Sequence, residues 1–464
     1  GINIRSGSHY APFLVYDFDG DGKAEVACRT SEGTTDGLGD VIGNPEVDYR
    51  NTSGKILEGP EYISVFSGET GAFLVKDQQP YDPPRGDPES WGDTYGNRVN
   101  QFMGCVAYLD GVRPSMVFTR GYYDRTALAA FNFEDGALSH VWTFDTKDLR
   151  RGGLYEGQGN HSVTVGDVDM DGKDEIVFGS LTIDDDGNPL NSTGYGHGDS
   201  SHLGDFNPDS EGLEYFTCHE AAGYDSKAAD GAFGNLWTAI SPKVDFRGQY
   251  GLESILWQTN IESGTADIGR SLVADIDPNH DGAEAWSADG SGIYDINGNI
   301  ISTTYPESPG GGASYNMAAW YDGDLLRELV DRTTINKWNA ASSSTSRVQT
   351  SYSYDGLALS SNNSTKSNPC LIADIIGDWR EEIIWRSSDN TYLAIMTTPQ
   401  KTDYKIFTLM HDPVYRTSIA WQNVGYNQSA HTGFFLGANM PTPLTPNIFY
   451  ANSGTFSSED DLIR

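Results

Sequence analysis

Short apolar runs separated by turns rich in glycine and aspartate are the main pattern along this chain. A run in which apolar and polar residues alternate, followed by a tight turn and a second such run, predicts a β-hairpin. Helical periodicity is scarce, so the sequence predicts an all-β fold of many short antiparallel strands. The hairpin patterns lie at residues 65–75, 127–144 (turning at Asp135-Gly136), 293–301 (turning at Asn297-Gly298), 325–338 and 382–396 (turning at Asp389-Asn390), with a strand-like run at 404–410.

A loop pattern recurs between the predicted strands. Residues 17–25 and 167–175 each have Asp at three alternating positions, then Gly, then Glu, and each leads into an apolar run. Looser copies occupy residues 205–214 and 275–284, and residues 374–382 form a relative without the third carboxylate. Repetition of one loop-plus-strand unit over the whole length favours a β-propeller over a β-sandwich.

The carboxylates of these loops indicate calcium. Ca²⁺ takes about six to eight oxygen ligands, including carboxylates and backbone carbonyls, whereas an EF-hand loop would end on a later Glu between two helices. A turn rich in Asp and Gly can also be a solvated loop, but two near-identical copies favour structural metal sites. The predicted ligand positions are Asp17, Asp19, Asp21, Lys23, Glu25, Asp167, Asp169, Asp171, Lys173, Glu175, Asp205, Asn207, Asp275, Asp277, Asn279 and Glu284.

Composition limits the classes of function. The formal net charge of −36 argues against nucleic-acid binding, which needs a basic surface. No apolar run is long enough to span a membrane, and the start has no basic-then-apolar segment, so any targeting peptide is expected to be removed or never present. The four scattered cysteines argue against zinc. We expect one propeller domain over residues 1–450, containing a surface loop at 340–346, and a tail or linker over 451–464.

Four polar residues in glycine-rich segments form a candidate site. His161 closes the segment 157–161, His197 and Asp199 lie in 194–199, and Glu220 follows Cys218-His219. In a propeller, residues next to the innermost strand of a blade face the rim of the central channel, so these segments can converge there. Two imidazoles and two carboxylates can bind a divalent ion. The alternative is a set of buried histidines in tight turns, and spacing alone does not decide between them.

Three further residues are unremarkable when each is taken alone. Arg270 follows Asp267-Ile268-Gly269, Lys366 ends a polar stretch, and Tyr426 lies in a segment rich in Asn and Gln. A lone basic residue is usually solvated or ion-paired, and a lone tyrosine usually belongs to the core.

Several longer segments resemble polysaccharide lyase family 11, which contains the bacterial rhamnogalacturonan lyases. The segments occur in order and are specific in sequence, and the resemblance extends from residue 1 to about residue 450. They are residues 15–27, 91–98, 157–161, 377–382 and 411–416.

The resemblance implies an eight-bladed β-propeller with several bound Ca²⁺ ions. It implies a secreted, monomeric enzyme that cleaves rhamnogalacturonan I, the pectin backbone of alternating rhamnose and galacturonate, without a nucleic-acid or membrane partner. It also implies roles for particular residues. These are catalysis for Arg270, Lys366 and Tyr426, substrate contact for Asn363, Ser364 and Thr365, and a metal site for His161, His197, Asp199 and Glu220.

The chain departs from the family pattern in three places. Family members usually have a small β domain and another calcium loop upstream of Gly1, so the first blade is expected to be incomplete here. Ser364 stands where the family usually has Gly, which is expected to shift the substrate loop. Residues 221–269 are longer than expected, which predicts an insertion in that blade.

The implied reaction is β-elimination from galacturonate. A base removes the weakly acidic proton at C5 while cations neutralise the adjacent carboxylate. Arg270 and a Ca²⁺ ion are the candidates for neutralisation, and either Lys366 or Tyr426 is the base, with Lys366 favoured. Two other functions compete with this one, a non-catalytic calcium-dependent glycan-binding propeller and a calcium-dependent adhesion module. The presence of all three catalytic candidates argues against the first, and the stretch 363–366 has no role in the second.

Overall fold

Antiparallel β-sheets make up nearly all regular structure in the computed structural model, which confirms the all-β class. Among the described residues, no helix is long and apolar enough to cross a membrane. The structure describes residues 1–7, 9–148, 152–220, 231–238, 255–259, 262–263, 268–288, 292–307, 309 and 314–443.

The first three sheets follow one another along the chain. Sheet 1 contains β1 (Phe13–Tyr16), β2 (Glu25–Ser31) and β5 (Glu61–Ser67), and the small hairpin of β3 (Thr34–Thr35) and β4 (Val41–Ile42) lies between its last two strands in sequence. Sheet 2 contains β6 (Gly104–Ala107), β7 (Ser115–Arg120), β8 (Ala127–Glu134) and β9 (Ala137–Asp145). Sheet 3 contains β10 (Thr164–Gly166), β11 (Glu175–Phe178), β12 (Leu181–Ile183) and β13 (Pro189–Ser192).

Four more sheets contain the remaining strands of the described residues. Sheet 4 contains β14 (Gly198–Gly204), β15 (Glu214–His219), β16 (Gly231–Thr238), β17 (Ile255–Gln258) and β18 (Glu262–Ser263). Sheet 5 contains β19 (Ser271–Ala274), β20 (Glu284–Ser287), β21 (Ile293–Tyr294) and β22 (Ile300–Ser302). Sheet 6 contains β23 (Met317–Ala319), β24 (Glu328–Asp331), β25 (Thr334–Asn339) and β26 (Ser344–Thr350). Sheet 7 contains β27 (Leu359–Ser360), β28 (Leu371–Ala373), β29 (Glu382–Ser387) and β30 (Leu393–Met396).

Helices are few and short. The single α-helix of the described residues is α1 (Pro413–Trp421), which Asp412 caps by accepting a hydrogen bond from the Tyr415 N–H. Turns of 3₁₀ helix lie at Pro88–Trp91, Arg98–Asn100, Gly152–Leu154, Ala340–Ser342, Tyr354–Gly356, Ser364–Lys366 and Leu409–His411.

Burial falls from the first strand to the last in sheets 2, 4, 5 and 6. Strands β6, β14, β19 and β23 are buried along their whole length. Strands β9, β22 and β26, the last strands of their sheets, expose much of their surface. Successive first strands also contact one another, β6 with β10, β10 with β14, β14 with β19 and β19 with β23. This arrangement, with first strands inside and last strands outside, is that of a β-propeller.

The expectation of eight blades is wrong for the described residues. They form six sheets of four or five strands, sheets 2 to 7, beside the three-stranded sheet 1. The physical reason lies in residues 397–443, which follow the last blade and contain no strand among the described positions. Residues 397–405 are mostly exposed, whereas residues 409–443, the inner segment, form a 3₁₀ turn, α1 and irregular backbone that packs inside the ring. This length of chain therefore adds no blade.

This inner segment ties the first strands together. Helix α1 packs against β1, β6 and β10. Beyond the helix, the Gln422 side chain accepts a hydrogen bond from the Ile372 N–H at 2.8 Å, and Ser429 Oγ accepts from the Ala318 N–H at 2.7 Å. The inner segment approaches β14 closely at Gly204, where a Cβ atom would come within 2.7 Å of the His431 side chain. The ring is therefore filled by its own chain rather than left as an open pore.

Most predicted hairpins are confirmed. The patterns at 127–144, 293–301, 325–338 and 382–396 become β8–β9, β21–β22, β24–β25 and β29–β30. In 65–75 only an isolated bridge joins Phe66 to Phe73. The strand-like run at 404–410 is not a strand, because it leads into the inner segment, and the predicted loop 340–346 contains a 3₁₀ turn and the start of β26. The predicted insertion at 221–269 and the tail at 451–464 lie partly or wholly outside the described residues.

Candidate functional site

The candidate catalytic residues and the aspartate-rich loops lie at opposite ends of the blades. His197 and Arg270 immediately precede β14 and β19, and Glu220 immediately follows β15. These positions share one edge, because a second strand runs antiparallel to the first. The loops join the other end of each first strand to the second strand, as at Asp17 and Asp167. Structural loops and site chemistry can therefore be perturbed separately.

The structure brings together the four residues predicted to hold a metal. His161, His197, Asp199 and Glu220 are all buried, and each offers one ligand atom within 4.8 Å of the others. His161 Nε2 lies 3.3 Å from Asp199 Oδ1, and His197 Nε2 lies 3.8 Å from Glu220 Oε1. The convergence expected from a propeller rim is confirmed.

Hydrogen bonds to the far sides of the two imidazoles assign their tautomers. His197 Nδ1 lies 2.6 Å from the Gly159 carbonyl, so it donates and leaves a lone pair on Nε2. Tyr122 donates its hydroxyl proton to Gln101 and therefore accepts from His161 Nδ1 at 2.9 Å. Both Nε2 lone pairs then face the carboxylates of the cluster.

This donor set fits a divalent cation. Burial lowers the pKa of His161 well below its usual value, and the nearby His197 lowers it further, so the ring is neutral at physiological pH. Two neutral imidazoles and two carboxylates directed at one another repel unless a cation lies between them. A carbonyl that accepts a hydrogen bond from the other ring nitrogen, as that of Gly159 does for His197, also orients a metal-ligating histidine.

The three predicted catalytic residues meet on one side of this cluster. Lys366 Nζ lies 4.0 Å from the centre of the Tyr426 ring, and the Arg270 guanidinium carbon lies 5.2 Å from it. Lys366 also donates to Asp199 Oδ2 at 3.2 Å and to the Gly269 carbonyl at 3.1 Å. The Tyr426 ring centre is 4.4 Å from that of His161. Tyr426 is therefore part of the site rather than a core aromatic.

Arg270 is a buried cation with unused donors. It is only 4% exposed, and its Nε and Nη1 atoms make no hydrogen bond within the described part of the chain. Burial lowers the pKa of Arg270 to about 10, with Asp199 acting in the opposite direction, so the guanidinium stays charged at neutral pH. Burying a charge with unpaired donors costs free energy. An anionic ligand that accepted hydrogen bonds from these donors would remove that cost, so Arg270 is suited to bind one.

A tight turn places Lys366. Asn363 and Ser364 have φ values of 57° and 47°, in the left-handed region that favours glycine, and the Lys366 N–H donates to the Asn363 carbonyl at 2.9 Å. Ser364 thus keeps the backbone conformation that suits the glycine expected there, so the predicted shift of this loop is not needed to fit the serine. Asn363 donates to Asn427 Oδ1 at 3.4 Å, beside Tyr426. The Thr365 side chain lies outside the described atoms.

Sequence reasoning missed three aromatic residues of the site. The His9 ring centre lies 4.8 Å from those of both His161 and Tyr426, and burial lowers the pKa of His9 to about 4. Tyr122 stacks on His197, and the Tyr123 hydroxyl is 3.1 Å from His161 Nε2. Tyr122 and Tyr123 follow β7, the second strand of its sheet, as Glu220 follows β15. This shared position after a second strand is a signal from which the two tyrosines could have been predicted. His9 precedes β1 as His161 precedes β10, so a corresponding positional signal applies to it.

The aspartate-rich loops share one fold. In each, the last Glu begins the second strand and accepts a hydrogen bond from a backbone N–H near the start of the loop, which pins the two ends together. The donors are Phe18 to Glu25, Val168 to Glu175, Phe206 to Glu214, Ile276 to Glu284, Tyr321 to Glu328 and Ile375 to Glu382, over 2.7 to 3.0 Å.

Two of the predicted calcium loops gather carboxylates into compact clusters. Asp17, Asp19 and Glu25 form one, and Asp167, Asp169 and Glu175 the other, with ligand atoms within 4.8 Å of one another. A third cluster joins Asp171 and Glu175 to Asp185, which the sequence did not suggest. The ammonium groups of Lys23 and Lys173 form ion pairs with the carboxylates of Glu69 and Asp185, at N–O distances of 2.8 and 2.9 Å. Their predicted contribution to a metal therefore rests on their backbone carbonyls.

Unpaired buried carboxylate oxygens support cations in these loops. Glu175 and Glu284 are completely buried, and the Oε1 atom of each makes no hydrogen bond among the described residues. Burial raises the pKa of Glu175 to about 9. Leaving such an oxygen without a partner costs about 1–3 kcal/mol, and a bound cation removes that cost.

The other predicted copies are arranged differently. Asp275 accepts a hydrogen bond from the Ala438 N–H of the inner segment, and Asn279 donates to Asp277 Oδ1 at 2.7 Å. Asp205 lies beside the same inner segment, whose Thr432 carbonyl accepts from its N–H at 3.0 Å, while Asn207 Oδ1 accepts from Asp209. Within the described residues these two loops gather no compact carboxylate cluster, because their first aspartates turn toward the ring centre. Their predicted ligand roles remain predictions.

A sixth loop, at residues 320–328, was not predicted from the sequence. Its cation is the side chain of a lysine from a neighbouring strand. Its aspartates are Asp322 and Asp324, and Trp320 and Leu325 replace the first aspartate and a loop glycine, which hid the pattern. The Lys337 ammonium lies 2.5, 2.6 and 2.7 Å from Asp322 Oδ2, Asp324 Oδ2 and Glu328 Oε1. It thus contacts all three carboxylates at the position where the other loops are predicted to hold Ca²⁺.

Chelation of calcium is expected to lower the melting temperature of the protein. An ion that binds only the folded state stabilises it by mass action, by about 2.7 kcal/mol for one site at a hundred times its Kd. The measurement is calorimetry in excess EGTA, with calcium-saturated EGTA as the matched control. Identical melting curves in the two buffers after long equilibration would contradict the assignment of these loops.

Comparison with known proteins places the chain in a family. The model of "Rhamnogalacturonan lyase family 11, C-terminal domain" matches residues 1–446. The chain is 47% identical to rhamnogalacturonan endolyase YesW and 45% identical to rhamnogalacturonan exolyase YesX, both of Bacillus subtilis, over 97% and 98% of its length and 67% and 71% of theirs. A solved rhamnogalacturonan lyase of Bacillus licheniformis superposes with a TM-score of 0.86 at 49% identity, covering 97% of this chain and 71% of that one. The chain therefore belongs to rhamnogalacturonan lyase family 11.

Proposed function

We propose that this protein is a rhamnogalacturonan lyase, which cleaves the rhamnose-(1→4)-galacturonate bond of rhamnogalacturonan I by β-elimination. Membership of the family supports the substrate and the reaction class. The observation that carries the proposal is the meeting of Lys366 and Arg270 on the ring of Tyr426, beside the His161 cluster. An acidic chain that concentrates two cations in one buried site is suited to an anionic sugar.

The chemistry explains why cations are needed. Elimination breaks the C5–H bond of galacturonate and then the bond from C4 to the rhamnosyl oxygen, and a double bond forms between C4 and C5. Removing the C5 proton places negative charge next to a carboxylate that is already charged. Positive groups fixed around that carboxylate stabilise the developing charge without having to reorganise.

Each of the three residues has a role that its position allows. Arg270 binds the galacturonate carboxylate with its unused Nε and Nη1 donors, since planar guanidinium groups match carboxylates in a bidentate fashion. Lys366 is the base that takes the C5 proton, because its Nζ lies on the Tyr426 ring beside Arg270. Tyr426, in contact with both, gives a proton to the leaving rhamnosyl oxygen.

A divalent cation, Ca²⁺ in our proposal, fits beside these residues. His161, His197, Asp199 and Glu220 would hold it, and when bound it supplies further positive charge for the carboxylate. The two imidazole nitrogens also suit transition metals. Elemental analysis of the purified protein therefore tests the identity of the ion directly.

The activity should distinguish between two pectic polymers. We expect the site to contact rhamnose as well as galacturonate. The protein should therefore cleave plain polygalacturonate at least about a hundredfold more slowly than rhamnogalacturonan, because polygalacturonate lacks the rhamnose that these contacts require. The measurement is the growth of ultraviolet absorbance from the conjugated double bond on each polymer. Comparable rates would overturn the proposed specificity and indicate a general pectate lyase. Since such polymers are too large to enter a cell intact, we propose that the protein acts outside it.

A further inference from the structure

We propose that Arg98 forms a second carboxylate-binding subsite, which holds another galacturonate of the same polysaccharide chain. The inference rests on the proposed function and concerns the motif at residues 91–98, which the catalytic residues leave unused. It makes Arg98 a specificity-determining residue that selects long, alternating substrates.

Arg98 borders the site without belonging to its catalytic centre. Its guanidinium carbon lies 5.4 Å from the ring centre of Tyr123. The Tyr123 hydroxyl in turn lies 3.1 Å from His161 Nε2. The Arg98 side chain is 26% exposed, so a ligand can reach it from solvent.

The Arg98 guanidinium has donors to offer. Its ion pair with Asp124 is long, at 3.9 Å, and the guanidinium makes no hydrogen bond within the described residues. The group lies over Gly92, where a Cβ atom would come within 2.6 Å of Arg98 Nη1. A fork of unpaired N–H groups held against an aromatic ring matches a carboxylate in a bidentate fashion.

The turn that carries Arg98 is fixed in place. The carboxylate of Asp93 accepts hydrogen bonds from the backbone N–H groups of Tyr95, Gly96, Asn97 and Arg98, over 2.7 to 3.2 Å. A rigid loop costs little conformational entropy when a ligand binds. The motif residues therefore position the arginine rather than contact the polysaccharide themselves.

A buried group of arginines lies directly beneath this turn. Arg29, Arg85 and Arg120 all pair with one carboxylate, that of Glu61, and all four side chains are at most 3% exposed. Arg120 Nη1 donates to the carbonyl of Val99, the neighbour of Arg98, at 3.2 Å. With Arg98, these arginines set four positive charges against the three negative charges of Glu61, Asp93 and Asp124, in a protein that is otherwise strongly acidic.

Arg98 and Arg270 must hold different carboxylates. Three rings in contact separate them, since Arg270 lies over Tyr426, Tyr426 on His161, and the His161 imidazole meets the Tyr123 hydroxyl. In a backbone of alternating rhamnose and galacturonate, the next carboxylate is one disaccharide away from the one being processed. Two separated cationic groups thus suit a substrate that carries a carboxylate on every second sugar.

The test compares substrates of different length. In Arg98→Gln, the ratio of kcat/KM for polymeric rhamnogalacturonan to that for the shortest cleavable oligosaccharide should fall about tenfold, the scale of one lost charged hydrogen-bonding contact. Arg98→Lys, which keeps the charge but not the fork, should give an intermediate ratio. Arg113→Gln is the matched control, because Arg113 is an exposed arginine paired with Asp110 on another loop.

The outcomes separate this inference from the function on which it rests. A wild-type protein without lyase activity on either substrate would overturn the proposed function. An active wild type with an unchanged ratio in Arg98→Gln, and a melting temperature equal to that of wild type, would overturn the subsite alone. A ratio that falls equally in Arg113→Gln would also overturn it, because the effect would then be one of general charge.

Discussion

Replacing Lys366 with alanine is expected to lower kcat on rhamnogalacturonan by about a hundredfold or more, the usual scale for a lost general base. The change leaves Arg270 in place to bind the carboxylate, so KM should change little. Steady-state kinetics on the purified variant, followed by ultraviolet absorbance, provides the measurement. Lys405→Ala, at an exposed lysine, is the matched control and should behave like wild type.

Two companion variants separate the roles of the neighbouring residues. Arg270→Ala should damage both kcat and KM, because the guanidinium binds the carboxylate in the ground state and stabilises the charge that develops later. Tyr426→Phe deletes only the hydroxyl, and if that group transfers a proton, its loss should resemble that of Lys366→Ala. The double variant should then be little worse than either single variant. Full activity of Lys366→Ala would make Tyr426 the better candidate for the base.

Replacing Lys337 with methionine is expected to lower the free energy of unfolding by about 3 kcal/mol, because it leaves neighbouring carboxylates without their cation. Glu328 is completely buried and Asp322 is largely so, whereas Asp324 is half-exposed. Burial opposes the charge on the Lys337 ammonium, but the three carboxylates around it outweigh burial and raise its pKa above the usual value, so the charge is present throughout the physiological range. Urea denaturation of the variant measures the loss.

Calcium provides the second half of this experiment. In Lys337→Met the loop offers three carboxylates in the arrangement predicted to bind Ca²⁺ elsewhere, so millimolar Ca²⁺ should raise the melting temperature of this variant more than that of wild type. Arg113→Gln removes an exposed ion pair from the corresponding loop of sheet 2 and should cost at most about 1 kcal/mol. Equal stability of Lys337→Met and wild type without calcium would contradict the view of Lys337 as an internal cation.

The fold was predictable where local chemistry determines it. Turns such as Asp135-Gly136 and Asn297-Gly298 lie between paired strands, because residues that tolerate positive φ start hairpins wherever apolar alternation flanks them. The number of blades depends instead on long-range packing. Nothing local distinguishes residues 404–410 from a strand, but they lead into α1, which fills the ring centre.

The site was predictable only in part for a similar reason. The histidines and carboxylates of the cluster stand next to first strands, and a propeller brings such positions together. Lys337 is 15 residues from Asp322 in sequence and reaches it only because β24 and β25 pair. His9 reaches Tyr426 from the other end of the chain. The Lys337 contact follows from strand pairing and the His9 contact from the closed arrangement of the sheets, and no local pattern in the sequence indicates either contact.

Mass spectrometry of the fragments released from a defined rhamnogalacturonan oligosaccharide tests the central claim most directly. Elimination adds no water, so the masses of the two fragments should sum to that of the substrate, and one fragment should carry the new double bond at its galacturonate end. Their formation should slow by about a hundredfold or more in Lys366→Ala and continue at the wild-type rate in Lys405→Ala. Fragments whose masses sum to that of the substrate plus one water would show hydrolysis and contradict the account.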